Sequence, residues 1–454
     1  MLRRKIYAYL IDWKGRDHRP LVISGQRQVG KTFIIREFAK NEYADLVELN
    51  FAENPDDRDI FKGALSPESI ILRLSVTHPE AHPVPGSTLI FLDEIQDCPD
   101  AYASLKYLSE SGFDIIASGS MLGVRMPGLH DDPDERNILI PMGYEETVTM
   151  FALDFEEYLW ARGVSEGVIG SVRKCIRDCE PMDEVVLNRM ESLYREYMVV
   201  GGMPASVSSF IETGNFVGVK RVLTELNQSC LRDINRCNSR LDAMKTAECY
   251  ESIPYQLAQS NKKFMYSRIS GEGSRKAADR YSENILWIKG AGYGNFCYSA
   301  MDVSLPLRSK RDSFKIYQSD TGMLINRFGD NCLKAVYDGR ADYNKGAITE
   351  NAVAEGLMKA GYVPRYYSVT KGKEHMELDF VVETGDGICA IEVKSGKDRS
   401  APSIFKARSI YRIDRAMIFE NSNIRKDGDG FEHYPLFAAC FFDEFEPEWD
   451  GPEL

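Results

Sequence analysis

The sequence has no apolar run near the roughly 18 residues needed to cross a bilayer, and the apolar stretch near its start, Ile6 to Ile11, gives way at once to charge. A membrane-spanning segment and a secretory leader are therefore not expected, and the reading is a soluble, cytoplasmic protein with no membrane partner. It has no cysteine framework either. The ten cysteines are scattered, and the closest pair, Cys175 and Cys179, is spaced CxxxC with no histidine nearby, which argues against a zinc ribbon or a disulfide scaffold. Internal repeats are not evident, and Gly (35) and Pro (19) sit near their ordinary share, so collagen-like and low-complexity readings fall away. What remains is a chain of 454 residues, 28% charged and 43% hydrophobic with a formal net charge of −13, long enough for about two to four domains.

Net acidity argues against a nucleic-acid partner, but the charge is uneven. From Leu257 to Ile316 lysine and arginine clearly outnumber aspartate and glutamate, whereas the last twelve residues, DEFEPEWDGPEL, hold six acids and no base. The first 120 residues alternate apolar, strand-like runs (PLVIS, LVELNF, STLIFLDE, FDIIASGS) with helix-like stretches, the pattern of a parallel sheet covered by helices. From about Asp154 to Gln259 the periodicity is helical, broken at GGMP, Gly201 to Pro204. Between Ser267 and Met323 helical patterns, a Gly-rich turn and a strand-turn-strand run fit a winged helix-turn-helix. After residue 345 a helix precedes ELDFVVE, ICAIEVK, a second helix and RAMIFE, which predicts a second α/β domain.

GQRQVGKT, comprising Gly25, Gln26, Arg27, Gln28, Val29, Gly30, Lys31 and Thr32, follows the strand LVIS and opens the helix FIIREFAK. It fits GxxxxGK[ST] in the strand-loop-helix context that motif needs. Such a loop turns successive N–H groups toward phosphate oxygens, with Lys31 reaching the β/γ-phosphates and the Thr32 hydroxyl binding Mg²⁺. STLIFLDEIQ places Asp93 at the end of a continuous apolar strand, where it would hold the same Mg²⁺, and Glu94 beside it, where it would polarise the attacking water. In the strand FDIIASGS, Ser118 stands where a γ-phosphate sensor would be, with a helix N-cap as the competing role. Arg125 and Arg136 are candidates for stabilising phosphate charge, or are solvated surface.

If Thr384 to Gly387 form a four-residue hairpin loop, residue 383 pairs with 388 and Asp379 falls opposite Glu392. Directly opposed carboxylates repel, and are more comfortable holding a divalent cation. Lys394 projects from the same face as Glu392 and would orient a water or stabilise charge developing on a phosphate. Glu350, on the preceding helix, is an accessory ligand, and Glu355 is read as surface. In the basic stretch, Tyr266, Tyr281, Trp287 and Tyr293 are interleaved with lysines and arginines, as in a DNA-binding winged helix. The competing reading makes Leu286, Trp287 and Ile288 core and the charges a solvated face.

Taken together, GQRQVGKT, LIFLDEIQ, ASGSMLG, VTMFALDFEEYLWARG, REYMVVGGMP, QSDTGML and ELDF…EVKSG resemble one prokaryotic family of AAA-type ATPases, from Arg4 to about Phe419. In that family the ATPase precedes a domain of unknown function whose end looks like a PD-(D/E)xK nuclease. Two departures stand out: Leu378-Asp379 replaces Pro-Asp, and Met121-Leu122 follow Ser120. The resemblance implies ATP binding at Gly25 to Thr32, Mg²⁺ and water chemistry around Asp93 and Glu94, and a nuclease-like end to which Glu350, Asp379, Glu392 and Lys394 map. The expected fold class is α/β: an AAA-type P-loop core (residues 1–165), a helical lid (166–235), a winged-helix segment (236–335) and a restriction-endonuclease-like α/β domain with an acidic tail (336–454). ATP and Mg²⁺ are the expected cofactors, DNA and further copies of the chain the expected partners. The rival reading is a regulatory NTPase switch whose nuclease-like fold is silent and binds protein partners.

Overall fold

The computed structural model describes residues 1–120, 143–271, 273–340, 344–369, 376–395 and 402–446. Arg125, Arg136, Met121, Leu122 and the acidic end 447–454 lie outside them. The chain divides into two compact units: Met1–Ala152 with Gly290–Gly292, and Leu153–Lys289 with Tyr293–Leu454.

The first unit holds a parallel sheet of β1 (Leu21–Ser24), β2 (Asp45–Asn50), β3 (Thr88–Asp93), β4 (Asp114–Gly119) and β5 (Glu146–Thr149), in the order β2-β3-β4-β1-β5. Every residue of TLIFLD in β3 is buried, as expected of an interior strand covered on both faces. On one face Val22, Val47, Leu49, Ile90, Leu92, Ile115 and Ala117 pack against Leu74 and Leu105 of the flanking helices. With β4 between β1 and β3, the loops leaving the carboxyl ends of these three strands are neighbours, which is where open α/β sheets bind ligands.

The second unit begins with helices between Phe155 and Leu257 and carries an eight-stranded mixed sheet. Its strands are β6 (Gly294–Ala300), β7 (Ser309–Gln318), β8 (Arg365–Val369), β9 (Met376–Thr384), β10 (Gly387–Val393), β11 (Arg415–Glu420), β12 (Arg425–Lys426) and β13 (Glu432–Pro435), in the order β12-β13-β11-β10-β9-β8-β6-β7. The boundaries differ from those read in the sequence. The first compact unit ends at Ala152, and the hairpin β6–β7, assigned to a separate winged-helix segment, joins the C-terminal sheet through Tyr298↔Arg365 and Ser299↔Tyr366. A local strand-turn-strand pattern shows that two strands pair with each other; it carries no signal for what the outer edge of β6 pairs with.

The motifs GGMP and QSDTG meet in a tightly packed junction of this unit. A Cβ on Gly201 would lie 2.3 Å from Asp320 Oδ1, and one on Gly202 would lie 2.1 Å from the Leu153 carbonyl oxygen. The Gly202 N–H donates to Asp320 Oδ2 at 2.6 Å. Glu355, read from the sequence as surface, is only 3% exposed. It accepts from the Thr321 N–H (2.8 Å) and hydroxyl (2.5 Å) and from Lys359 Nζ (2.6 Å). The helix Lys345–Lys359 is buried throughout 347–357, so it has no solvent face on which an acid could sit, and each buried acid requires a partner.

Candidate active sites

The loop between β1 and the helix Lys31–Glu42 is shaped by left-handed backbone at Gln28 (φ 66°) and Gly30 (φ 97°) and by Gly25 at φ 145°. Only glycine fits at position 25, where a Cβ would lie 2.2 Å from the Met150 carbonyl oxygen. Behind the loop Arg4 is buried, donating from Nη1 to the Val29 carbonyl (2.9 Å) and from Nη2 to that of Phe151 (2.6 Å). Holding the Val29 carbonyl from behind leaves the N–H side of the loop for an anion. The Lys31 ammonium folds into the loop, donating to the carbonyls of Gly25 (2.8 Å) and Gln26 (3.0 Å). Burial lowers its pKa to about 8; Glu94 and Asp93 pull it back up, and the charge of Arg27 pushes it down.

Asp93 ends β3 and is fully enclosed by neutral donors. Its Oδ2 accepts from Thr32 Oγ1 (3.0 Å) and Asn50 Nδ2 (3.1 Å), and its Oδ1 from the Glu94 N–H (3.1 Å) and the Ser118 hydroxyl. Burial raises its pKa, with the charges of Glu94 and Glu48 adding and the Ser118 and Thr32 hydrogen bonds opposing. Thr32 and Asp93 together offer adjacent oxygen donors, the set a hard cation such as Mg²⁺ takes. Glu94, in left-handed backbone (φ 52°), points to a different set. Its Oε2 accepts from Ser120 Oγ at 3.1 Å and from the Gln96 amide, and Arg27 Nε donates to Ser120 Oγ at 3.2 Å. Ser118, expected from the sequence as the phosphate sensor, donates to Asp93, and Ser120 is the hydroxyl beside Glu94.

In the second unit the hairpin pairs from Gly387↔Thr384 through Ile391↔Phe380, so the loop is Gly385-Asp386 rather than the expected Thr384 to Gly387, the register is the same, and the next step places Asp379 beside Glu392. Asp379 Oδ2 accepts from the Val393 N–H at 2.9 Å, and Lys394 Nζ donates to Glu392 Oε1 at 2.7 Å. The other oxygen of Glu392 is buried without a hydrogen-bond partner among the described residues. Burial raises the pKa of both acids; Glu350 and Glu392 add to the effect at Asp379, while Lys394 opposes it at Glu392.

Glu350 differs from its expected role as a metal ligand. Its oxygens accept from Lys262, from Lys315 Nζ (2.8 Å) and from the Tyr317 hydroxyl (2.5 Å). Burial opposes its ionisation, but Lys315 and Lys262 hold its pKa at about 2. Burial likewise disfavours the Lys315 ammonium, yet Glu350, Asp379 and Glu377 keep its pKa above the usual lysine value. Among the described residues no group of three or more His, Cys, Asp or Glu side chains is arranged to hold a metal ion.

The aromatic rings of the basic stretch also sit differently from the base-stacking arrangement. Tyr281, Trp287 and Tyr293 are buried, as is Ile288, while Tyr266 is half-buried and Leu286 is 61% exposed. Among the described residues of this stretch the exposed bases are Arg275, Lys276, Arg280 and Lys289 on one helix and Arg308 and Arg311 at the hairpin, with the acids Asp279, Glu283 and Asp312 exposed among them.

Sequence reasoning missed Arg4, Asn50, Gln96, Lys262, Lys315 and Tyr317. The only local signals were a polar residue ending an apolar run (Asn50 in LVELNF) and a lysine between apolar neighbours in a strand (Lys315 in FKIYQ).

Residues 17–159 match the AAA domain family. Residues 191–331 and 345–437 match two domains of unknown function, DUF8612 and DUF4143. No curated protein matches the chain. Among solved structures it is similar to the Walker-type ATPase of Pyrococcus abyssi, at 14% identity over 72% of this chain and 96% of that one, with a TM-score of 0.43. A signal-transduction ATPase with numerous domains and a tetratricopeptide repeat sensor from Pyrococcus horikoshii is similar at 12% identity over 79% of this chain and 49% of its own, TM-score 0.27. DnaA from Aquifex aeolicus with AMPPCP bound is similar at 12% identity over 63% of this chain and 85% of its own, TM-score 0.26. No helix among the described residues is long and apolar enough to cross a membrane.

Proposed function

We propose that the first unit, most of which falls within the match to the AAA domain family, is a P-loop ATPase that binds ATP with Mg²⁺ and hydrolyses it. The observation that carries this reading is the Thr32–Asp93 hydrogen bond of 3.0 Å beside a loop into which Lys31 is folded. On ATP binding Lys31 exchanges two carbonyls for the β/γ-phosphates, and Thr32 and Asp93 hold the Mg²⁺. Bound there, the ion neutralises charge on the phosphate oxygens. Glu94 orients the attacking water and takes its proton as the water oxygen bonds to the γ-phosphorus and the bond to the β–γ bridging oxygen breaks.

The second unit is read as facing nucleic acid. The exposed Arg275, Lys276, Arg280, Arg308 and Arg311 supply phosphate-neutralising charge. Asp379, Glu392 and Lys394 form the D…ExK set of a Mg²⁺-dependent DNA nuclease, the buried unpartnered oxygen of Glu392 being the group that calls for a cation. A second reading, in which this fold is silent and the ATPase is a regulatory switch for protein partners, draws support from Glu350, whose charge Lys262 and Lys315 already balance.

The test is cleavage of plasmid and linear DNA with Mg²⁺ or Mn²⁺, with and without ATP, by wild type, Lys394→Ala and Lys31→Ala. Cleavage lost in Lys394→Ala supports the nuclease, and the Lys31→Ala result shows whether ATP gates it. ATP turnover without any cleavage moves the reading to the switch.

A further inference from the structure

Arg27 lies at the third position of the phosphate loop, and its half-buried side chain reaches the hydroxyl that holds Glu94. Its Nε donates to Ser120 Oγ at 3.2 Å, and Ser120 in turn donates to Glu94 Oε2 at 3.1 Å. The guanidinium is also close enough to Lys31 for its charge to oppose protonation of that ammonium. Two cations from one loop, Arg27 and Lys31, therefore converge with Glu94 at the end of the loop where the γ-phosphoryl group would be transferred. Chain topology places them there: β4, which leads into Ser120, lies between β1, which feeds the loop, and β3, which ends at Asp93.

We propose that Arg27 is a catalytic residue, supplying from within the same chain the positive charge that stabilises the transferring phosphoryl group. This rests on the ATP-hydrolysis reading above and extends it. In that transition state negative charge spreads over the three equatorial oxygens of the γ-phosphoryl group and builds on the β–γ bridging oxygen as its bond breaks, and an arginine placed there is worth about 10³–10⁵ in rate. Before ATP binds, Arg27 rests on the Ser120 hydroxyl. Turning the Nε–H from that hydroxyl to a phosphate oxygen exchanges one neutral acceptor for an anionic one, a stronger hydrogen bond. It also frees Ser120 to hold Glu94 alone. A loop that carries its own arginine does not need one from a neighbouring copy, so turnover per chain should not depend on assembly.

The experiment uses the full chain as wild type, Arg27→Ala and Arg27→Lys. Turnover of Mg·ATP is measured over a hundredfold dilution of protein, and affinities are measured for AMP-PNP and for ADP with fluoroaluminate, a mimic of the transferring group. The expected result is that Arg27→Ala keeps AMP-PNP affinity within about threefold while turnover and fluoroaluminate affinity both fall by roughly 10³. Arg27→Lys recovers part of each, and the wild-type rate per chain is unchanged on dilution. Wild-type turnover in Arg27→Ala, or equal loss of both affinities, would overturn the assignment. A wild-type rate per chain that collapses on dilution would overturn it too, giving the arginine to a second copy. A wild type that binds AMP-PNP but turns over no ATP would remove the hydrolysis reading itself, and this role with it.

Discussion

The two units each bury a carboxylate, and they balance it in opposite ways. Asp93 is surrounded by a threonine, an asparagine, a serine and a backbone N–H, all neutral. Glu350 is held by two lysines and a tyrosine. Neutral donors orient a carboxylate without cancelling its charge, so burial raises the pKa of Asp93. Ammonium groups cancel the charge, so Glu350 stays ionised despite burial. The first arrangement leaves the charge uncompensated, which fits the proposed Mg²⁺ site, and the second has its cations built into the chain. The presence of acids in a cluster thus says less about metal binding than the identity of the groups donating to them.

The sharpest way to break this contrast in the first unit is Glu94→Gln, which keeps the shape of the side chain and its neighbours but removes the base. Turnover should fall by about 10²–10⁴ with AMP-PNP affinity retained, as read by steady-state kinetics and calorimetry. In the second unit the corresponding break is Lys315→Met. Removing one partner of a buried ion pair costs about 3–5 kcal/mol, so urea unfolding should show a large loss, and adding Glu350→Gln to the same chain should restore much of it. An unchanged midpoint in Lys315→Met would show that Glu350 finds its cation elsewhere.

A smaller effect follows from Lys31. Burial lowers its pKa to about 8, and bound phosphate favours the charged form. Binding above that value therefore takes up a proton, and AMP-PNP affinity should weaken by up to tenfold per pH unit above about pH 8. A flat profile from pH 7 to 10 would show that the ammonium is not desolvated in the empty loop. The smallest effect is expected from Asp379→Asn. A carboxyl whose pKa is raised by folding contributes stability that is present below its unfolded pKa and lost as pH rises through the folded value. The wild type should thus lose stability with rising pH relative to the variant, whose side-chain amide carbonyl can still accept from the Val393 N–H. A gain of roughly 1 kcal/mol corresponds to about 2–4 °C in Tm for a domain of this size. Equal melting temperatures across the pH range would contradict the assigned shift.

What the sequence disclosed follows the same division. The phosphate loop, Asp93 and Glu94, and the register that sets Asp379 beside Glu392 are written in contiguous segments, where motif spacing and a hairpin loop decide the geometry. The groups that decide what those acids do come from far along the chain: Asn50 to Asp93, Arg4 to Val29, Lys262 and Lys315 to Glu350. No local pattern announces such meetings. Glu355 reads as surface in the sequence for this reason, because a helix looks amphipathic or not only once its neighbours are known, and this one is enclosed on all sides. The interleaved aromatics of the basic stretch likewise have two readings until burial puts Tyr281, Trp287 and Tyr293 in the core.

The central claim is that the Asp93–Glu94 site, and not merely the fold around it, hydrolyses ATP. The most direct measurement is single-turnover hydrolysis of Mg·ATP by the full chain, wild type beside Glu94→Gln, with nucleotide binding measured on the same samples. The account predicts turnover by the wild type and binding without turnover by the variant. Equal turnover by both, or a wild type that binds ATP and never cleaves it, would contradict it.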